Sequence, residues 1–317
     1  MKFIFIKRVI GRLKRDIWGV KQKIIIRIAM KVAPIAGYVK IENKIIKNLY
    51  DQEQVYKRFQ EEYSDIRLPE LESDNGDWKP YTIWTCWWQG YDNAPRLVQK
   101  CISSIEKNLC QENSKYHLVV IDKDNYKSYC NIDDEILAKW KAGIISNAHM
   151  ADLLRIELLN CYGGIWVDAT VLCTASKMPE YIQQSALFVY QRIELDRSDE
   201  ISLKASNWFI VANQRSKIIA LTREYLFQYW KKENSLLDYY IFHIFFRMAI
   251  EKYPEEWKRI PVYNNISPHI LQFELQEKYS EKRFEQIKEM SDFHKLNHHE
   301  EKKELGFYTN YDYILEN

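Results

Sequence analysis

The stretch from Ala151 to Thr170, ADLLRIELLNCYGGIWVDAT, constrains the fold more than any other part of the sequence. Leu153, Leu154, Ile156, Leu158 and Leu159 give a helix with a broad apolar face. Gly163 and Gly164 break that helix without steric cost. Ile165, Trp166 and Val167 then make a short apolar strand, with Asp168 at its carboxyl end. In an open α/β sheet that end is where ligands bind. Asp152 and Arg155 are three residues apart and share one side of the helix. Thr170, two residues beyond Asp168, is expected on the same side of the strand. The segment thus directs two carboxylates, a guanidinium and a hydroxyl towards one crevice.

The flanking sequence supplies the rest of an α/β domain. Tyr81 to Trp88 is dense in aromatic and β-branched residues and predicts a strand, ended by Gln89-Gly90. A helix from Pro95 to Leu109 follows, with proline in its first turn. Tyr116 to Asp122 predicts a second apolar strand and Asp133 to Lys141 a short helix. Beyond Cys173, Leu187–Tyr190 and Trp208–Val211 read as strands. Ser216–Lys232 and Leu237–Lys252 read as helices, the second stopped by Pro254. The tail from Pro261 to Asn317 is mixed, with helical parts. Such alternation points to βαβ units and a mainly parallel sheet. The division expected is an arm and connector over residues 1–78 and an α/β domain over residues 79–317. Within the connector, Asp51–Tyr63 reads as a polar helix, and Leu68–Trp78 as a loop of acids and turn formers.

Charge separates the same two parts. The net charge of +2 conceals +11 on residues 1–48, where thirteen Lys and Arg face only Asp16 and Glu42, and −9 on the remainder. No uncharged apolar run in that arm approaches the ~20 residues needed to cross a bilayer. Nor does an apolar core lead to a small-residue cleavage site, so no signal peptide is expected. A basic, partly amphipathic arm fits a helix lying on an anionic membrane surface, or else a solvated tail. Nucleic acid is disfavoured, because long apolar residues interleave the charges and the rest of the chain is acidic. The 22 Tyr and 10 Trp argue against global disorder. The six cysteines show no C-x-x-C spacing and read as free thiols of a reducing cytosol rather than a zinc site.

Residue chemistry alone leaves alternatives at each candidate. Asp168 either caps a turn or, through Mg²⁺ or Mn²⁺, addresses a diphosphate that a bare carboxylate would repel. Asp152 and Arg155 are either a structural ion pair or contacts for sugar hydroxyls. Trp84, Trp87 and Trp88 are either core or a platform for a ring.

These residues carry a resemblance. Ile83–Gly90 (IWTCWWQG), Ala94-Pro95, the 151–170 segment, Ser206–Ile210 (SNWFI), Asp238–His243 (DYYIFH) and His294–Leu296 (HKL) occur in order over Tyr81 to Leu296. In them the chain resembles the bacterial capsular polysaccharide synthesis proteins, which are similar to glycosyltransferase family 32 and its DXD-motif sugar-binding region. The resemblance implies a GT-A-type, Rossmann-like domain that binds a nucleotide-sugar, most naturally a UDP-sugar, with Mn²⁺ or Mg²⁺. It implies glycosyl transfer, with retention, to a polyprenyl-diphosphate-linked capsule or exopolysaccharide acceptor. The enzyme would be cytoplasmic and peripheral on the inner face of the bacterial plasma membrane. The other readings are a sugar-phosphate transferase of capsule assembly and a non-catalytic partner in the capsule complex. By resemblance, Asp152, Arg155 and Asp168 are catalytic and hold donor sugar and diphosphate. Ile83 and Trp84 fall where the nucleobase is held, and Ser206, Asn207, Trp208 and Lys295 lie near the donor. Asp168, Thr170 and His294 are the expected metal ligands. The family-32 pattern Asp-x-Asp is here Asp168-Ala169-Thr170, so a hydroxyl replaces one carboxylate.

Overall fold

The computed structural model describes residues 43–68, 78–193, 203–213, 215–299 and 303–317, with single helical positions between 17 and 24. The arm expected on a membrane surface, residues 1–48, lies almost wholly outside the described residues. No helix among the described residues is long and apolar enough to cross a membrane.

The strands expected from the sequence assemble into one five-stranded sheet. β1 (Thr82–Cys86) pairs in parallel with β2 (His117–Ile121) on one side and with β3 (Gly164–Val167) on the other. The remaining strands lie beyond β3. Here β4 is Val171–Cys173, β5 is Leu187–Gln191 and β6 is Ala205–Ala212. The sheet order is β2-β1-β3-β6-β5, with β6 antiparallel to both its neighbours. Four of the five strands therefore run the same way, which is the form the mainly parallel sheet takes. β4 stands outside it and pairs antiparallel with β7 (Phe293–Lys295), from the far end of the chain.

Both faces of the sheet are covered, which explains why its strands are apolar at nearly every position rather than at alternate ones. Along β3, Trp166 faces one core while Ile165 and Val167 face the other. The larger core is built by α4 (Asn147–Cys161), α5 (Lys217–Lys232) and α6 (Ile241–Lys252). On the opposite face lie α2 (Arg96–Leu109) and the β4–β7 ribbon. The small α3 (Asp134–Lys141) buttresses α5: Lys139 Nζ donates to the Lys231 carbonyl at 2.7 Å, satisfying an acceptor left over at the helix end. All six cysteines are free thiols.

Two boundaries differ from expectation. α1 (Asn43–Tyr63) includes the stretch read as a polar connector, yet Val55, Phe59 and Tyr63 are buried in the larger core. Phe59 stacks on Phe245 with centroids 4.4 Å apart. Apolar residues four apart on one face suffice to dock an otherwise charged helix. Burying one such ring contributes about 1.5–3 kcal/mol. α6 begins at Ile241 rather than Leu237, because Asp238 accepts from the Tyr240 N–H at 2.7 Å and forms a turn first.

The Gly-Gly turn fixes how α4 meets β3. Gly163 has φ +67° and Gly164 φ +87°. A Cβ on Gly163 would lie 2.4 Å from the Trp78 ring, and one on Gly164 would lie 2.4 Å from the Thr82 carbonyl. Both positions thus require glycine for conformation and for space. Gly163→Ala and Gly164→Ala are each expected to cost about 2–4 kcal/mol. That is a fall in melting temperature of roughly 5–10 °C for a domain of this size. Differential scanning calorimetry checks it, and unchanged melting in both variants would refute the constraint.

Candidate active site

A cavity of 1060 Å³ opens where β1 and β3 end, where α4 begins and where β6 begins. Because β6 runs opposite to β3, its first residues arrive at the same edge as Asp168. Asp152, Arg155, Asp168, Thr170, Asn207 and Lys295 all line this cavity.

Arg155 organises it. Its Nη1 donates to Asp152 Oδ1 at 2.5 Å and its Nη2 to Asp168 Oδ1 at 2.7 Å. The guanidinium lies 4.8 Å from the Trp166 ring centroid. Asp168 Oδ1 also accepts from Trp166 Nε1 at 2.9 Å, and its Oδ2 faces Lys295 Nζ at 3.4 Å. Asp152 Oδ1 accepts from Asn207 Nδ2 at 2.8 Å, which ties α4 to β6. One planar cation thus bridges a helix and a strand end, a task suited to the arginine fork and not to lysine.

The two carboxylates titrate in opposite directions. For Asp168, burial would raise the pKa, but Arg155, then Lys295, then the Trp166 hydrogen bond outweigh it and hold it below the ordinary range. For Asp152, burial prevails over Arg155 and His149 and raises the pKa. Lys295 and the Trp166 indole act on Asp168 and not on Asp152.

Several residues expected in the site are there. Ser206 lines the cavity and donates to the Tyr190 carbonyl at 3.0 Å. Trp208 lines it too, stacked on Tyr190 at 4.7 Å and donating to Asn265 Oδ1 at 2.9 Å. Others are not. Ile83 and Trp84 are 0% and 1% exposed, and Trp84 Nε1 donates to the Gly163 carbonyl at 2.9 Å. β1 continues to Cys86, so the side chains that reach the cavity from its end are Trp87, Trp88 and Gln89. Thr170 is not on the strand, since β3 stops at Val167, but a turn returns its hydroxyl to the cavity. His294 does not reach the cavity. It is buried opposite Leu172 in the β4–β7 ribbon, with Nε2 3.1 Å from the Thr174 hydroxyl. Strand alternation turns its neighbour Lys295 inward instead.

This arrangement does not suit the expected divalent cation. Asp168 Oδ1 is taken by Arg155 and Trp166, and Thr170 Oγ1 accepts from Lys295 at 2.5 Å. With His294 turned away, Asp168 has no second ligand of the expected set free to join it. Among the described residues no three His, Cys, Asp or Glu side chains stand close enough together to hold a metal ion.

The sequence did not single out His149, Tyr239, His243, Asn265, His269 or His298, all of which line the cavity. DYYIFH contained two of them, without a role. The segment around Asn265 carries no periodic pattern, so nothing in the sequence marked it.

The family model for capsular polysaccharide synthesis proteins matches residues 34–314. An O-glycosyltransferase, braB, of Annulohypoxylon truncatum is 26% identical over 162 residues, which is 47% of this chain. The chain spans 37% of that protein's length. Two solved structures overlap loosely. One, described as PaToxG glycosyltransferase, has a TM-score of 0.34 at 16% identity, covering 67% of this chain and 81% of its own. A second, described as a transferase mutant, has a TM-score of 0.30 at 9% identity, covering 63% and 95%. Overlaps this low carry no argument, and the fold stands on its own strand order.

Two histidines, half-buried His243 and buried His294, make stability depend on pH. Burial, then Arg155, holds His243 down to about 3. Burial, then Lys288, holds His294 down to about 4. Both start from 6.5 and are neutral in the folded protein at neutral pH. Because the folded values are depressed, their stabilisation is complete above 6.5 and is lost as pH falls from 6.5 towards 4. The melting temperature is expected to fall through that window, less steeply in His294→Gln. An identical slope in the variant would exclude His294 as a source.

Proposed function

The chain belongs to the capsular polysaccharide synthesis protein family, and from that premise we propose that it is a glycosyltransferase using a nucleotide-sugar, most naturally a UDP-sugar. The observation that carries this is the Asp152–Arg155–Asp168 bridge at a cavity of 1060 Å³, at the strand ends of an α/β sheet. On this reading the domain is of the GT-A type, and the acceptor is a polyprenyl-diphosphate-linked oligosaccharide.

Each side chain then has a distinct task. Asp152 and Asn207, already joined, present acceptor and donor atoms to sugar hydroxyls. Arg155 holds both carboxylates in place and supplies fixed positive charge where the diphosphate departs. Trp87, beyond the end of β1, offers a ring face for the nucleobase. The only carboxylates among the described lining residues are Asp152 and Asp168, both bound to Arg155. Asp168, held below the ordinary range by Arg155 and Lys295, is a poor general base, and Asp152 Oδ1 is engaged by Arg155 and Asn207. Attack from the leaving-group side, with the departing diphosphate taking the acceptor proton, needs no such base and supports retention.

A panel of UDP- and GDP-sugars, followed by nucleotide release, tests this reading. Release of a nucleoside diphosphate with a new glycosidic bond is expected. Release of a nucleoside monophosphate would favour a sugar-phosphate transferase, and no binding to any donor a non-catalytic partner. Arg155→Lys is expected to lower turnover about a hundredfold, because one ammonium cannot hold both carboxylates in register.

The basic arm supports a peripheral place on a membrane. Thirteen cations in residues 1–48 would keep the enzyme in the plane of a lipid-linked acceptor. Deletion of residues 1–48 is expected to release the protein from vesicles containing anionic lipid in a flotation assay. Retention equal to that of the full chain would refute it.

A further inference from the structure

The cation nearest the expected metal position is part of the chain. Lys295 Nζ lies 2.5 Å from Thr170 Oγ1, 3.4 Å from Asp168 Oδ2 and 3.4 Å from the Leu296 carbonyl. The first two are the side-chain oxygens that the DXD-like turn would offer a divalent ion. An ammonium on them excludes the ion, by occupying the ligands and by like-charge repulsion. We propose that Lys295 takes the place of a divalent cation, pairing with the donor diphosphate and stabilising it as it leaves.

The backbone holds Lys295 there. β7 pairs with β4 in the register Val171↔Lys295, and the Leu296 N–H donates to the Thr170 carbonyl at 2.9 Å. Phe293 is fully buried in the core behind the ribbon. The residues on either side of the ammonium are therefore fixed before any ligand arrives. Its side chain is 21% exposed, and it lines the cavity. The 3.4 Å contacts are long for a charged hydrogen bond, so phosphate oxygens can replace them at small cost.

This rests on the nucleotide-sugar reading above. In the transfer, the bond from the anomeric carbon to the diphosphate oxygen breaks and its electron pair stays on that oxygen. A bond forms from the anomeric carbon to the acceptor oxygen, and the acceptor proton passes to the departing diphosphate. Lys295 remains an ammonium throughout. It donates hydrogen bonds to the oxygens that gain charge, which favours the departing state over the bound donor.

Calorimetric titration of UDP into the full chain tests the proposal, first in EDTA and then in Mn²⁺. The wild-type protein is expected to bind UDP with similar affinity in both. Lys295→Met is expected to weaken binding about ten- to a hundredfold in EDTA, the size of one charged hydrogen bond. Part of that loss should return with Mn²⁺, because Asp168 and Thr170 are then open to a metal. Lys295→Arg is expected to keep binding in EDTA. Wild-type binding that vanishes in EDTA and returns with Mn²⁺ would overturn the role of Lys295 and leave the glycosyltransferase reading intact. That result needs no variant to fold. Absence of binding to any nucleotide in either buffer would overturn both.

Discussion

Everything at this site depends on a buried guanidinium that cannot be left unpaired. Arg155 is 4% exposed, lies over the Trp166 ring and sits 5.6 Å from the Phe242 centroid. A charge in such surroundings persists only if its partners are close and well oriented. It has two, from separate elements: Asp152 three residues back on the same helix, and Asp168 beyond the following strand. The requirement to satisfy one cation from both sides fixes the helix relative to the strand end. A third element joins through Asn207 on β6. Function and folding draw on the same contacts here, because the groups that would hold a ligand are already held by one another.

That geometry is reachable because the chain turns sharply between helix and strand. Tyr162 accepts from the Lys79 N–H at 2.6 Å, and the Trp78 indole donates to the Asn213 carbonyl at 3.1 Å. The Gly-Gly turn is thus covered by the residues that lead into β1 and by those that follow β6. With glycine at 163 and 164 the three segments approach within van der Waals distance. The turn therefore sets the register of β3 beside β1, Ile83 against Ile165, and so the height at which Asp168 emerges.

What the sequence made legible follows from locality. The helix, turn and strand of 151–170 lie within twenty consecutive residues, so periodicity and glycine placement sufficed to position Asp152, Arg155 and Asp168 together. Ile83 and Trp84 were set at a strand end because an aromatic run does not mark where pairing stops. The ladder with β2 carries β1 on to Cys86 and leaves the indole of Trp84 in the core. HKL brought both His294 and Lys295 into the expected site, and only Lys295 lines the cavity. A three-residue strand gives no alternation to read, and only its pairing with β4 shows that His294 turns inwards to Thr174 while Lys295 turns to the cavity. Asn265 lies in irregular chain and His269 closes a three-residue 3-10 turn, where no pattern distinguishes a lining residue from any loop residue.

The replacement of a second carboxylate by Thr170 fits the presence of Lys295. An aspartate at position 170 would place a further negative charge against an ammonium already shared with Asp168, and would cancel the charge that a diphosphate needs. A hydroxyl accepts one hydrogen bond from that ammonium, orients it, and leaves its charge unspent. The contrast between the carboxylates follows from the same point. Asp168, beside Arg155 and Lys295, is held below the ordinary range, whereas Asp152, which Lys295 does not face, is pushed upward by burial. Asp168 then serves to keep Arg155 and Lys295 aligned along the cavity wall, and the turn Asp168-Ala169-Thr170 is a seat for a lysine.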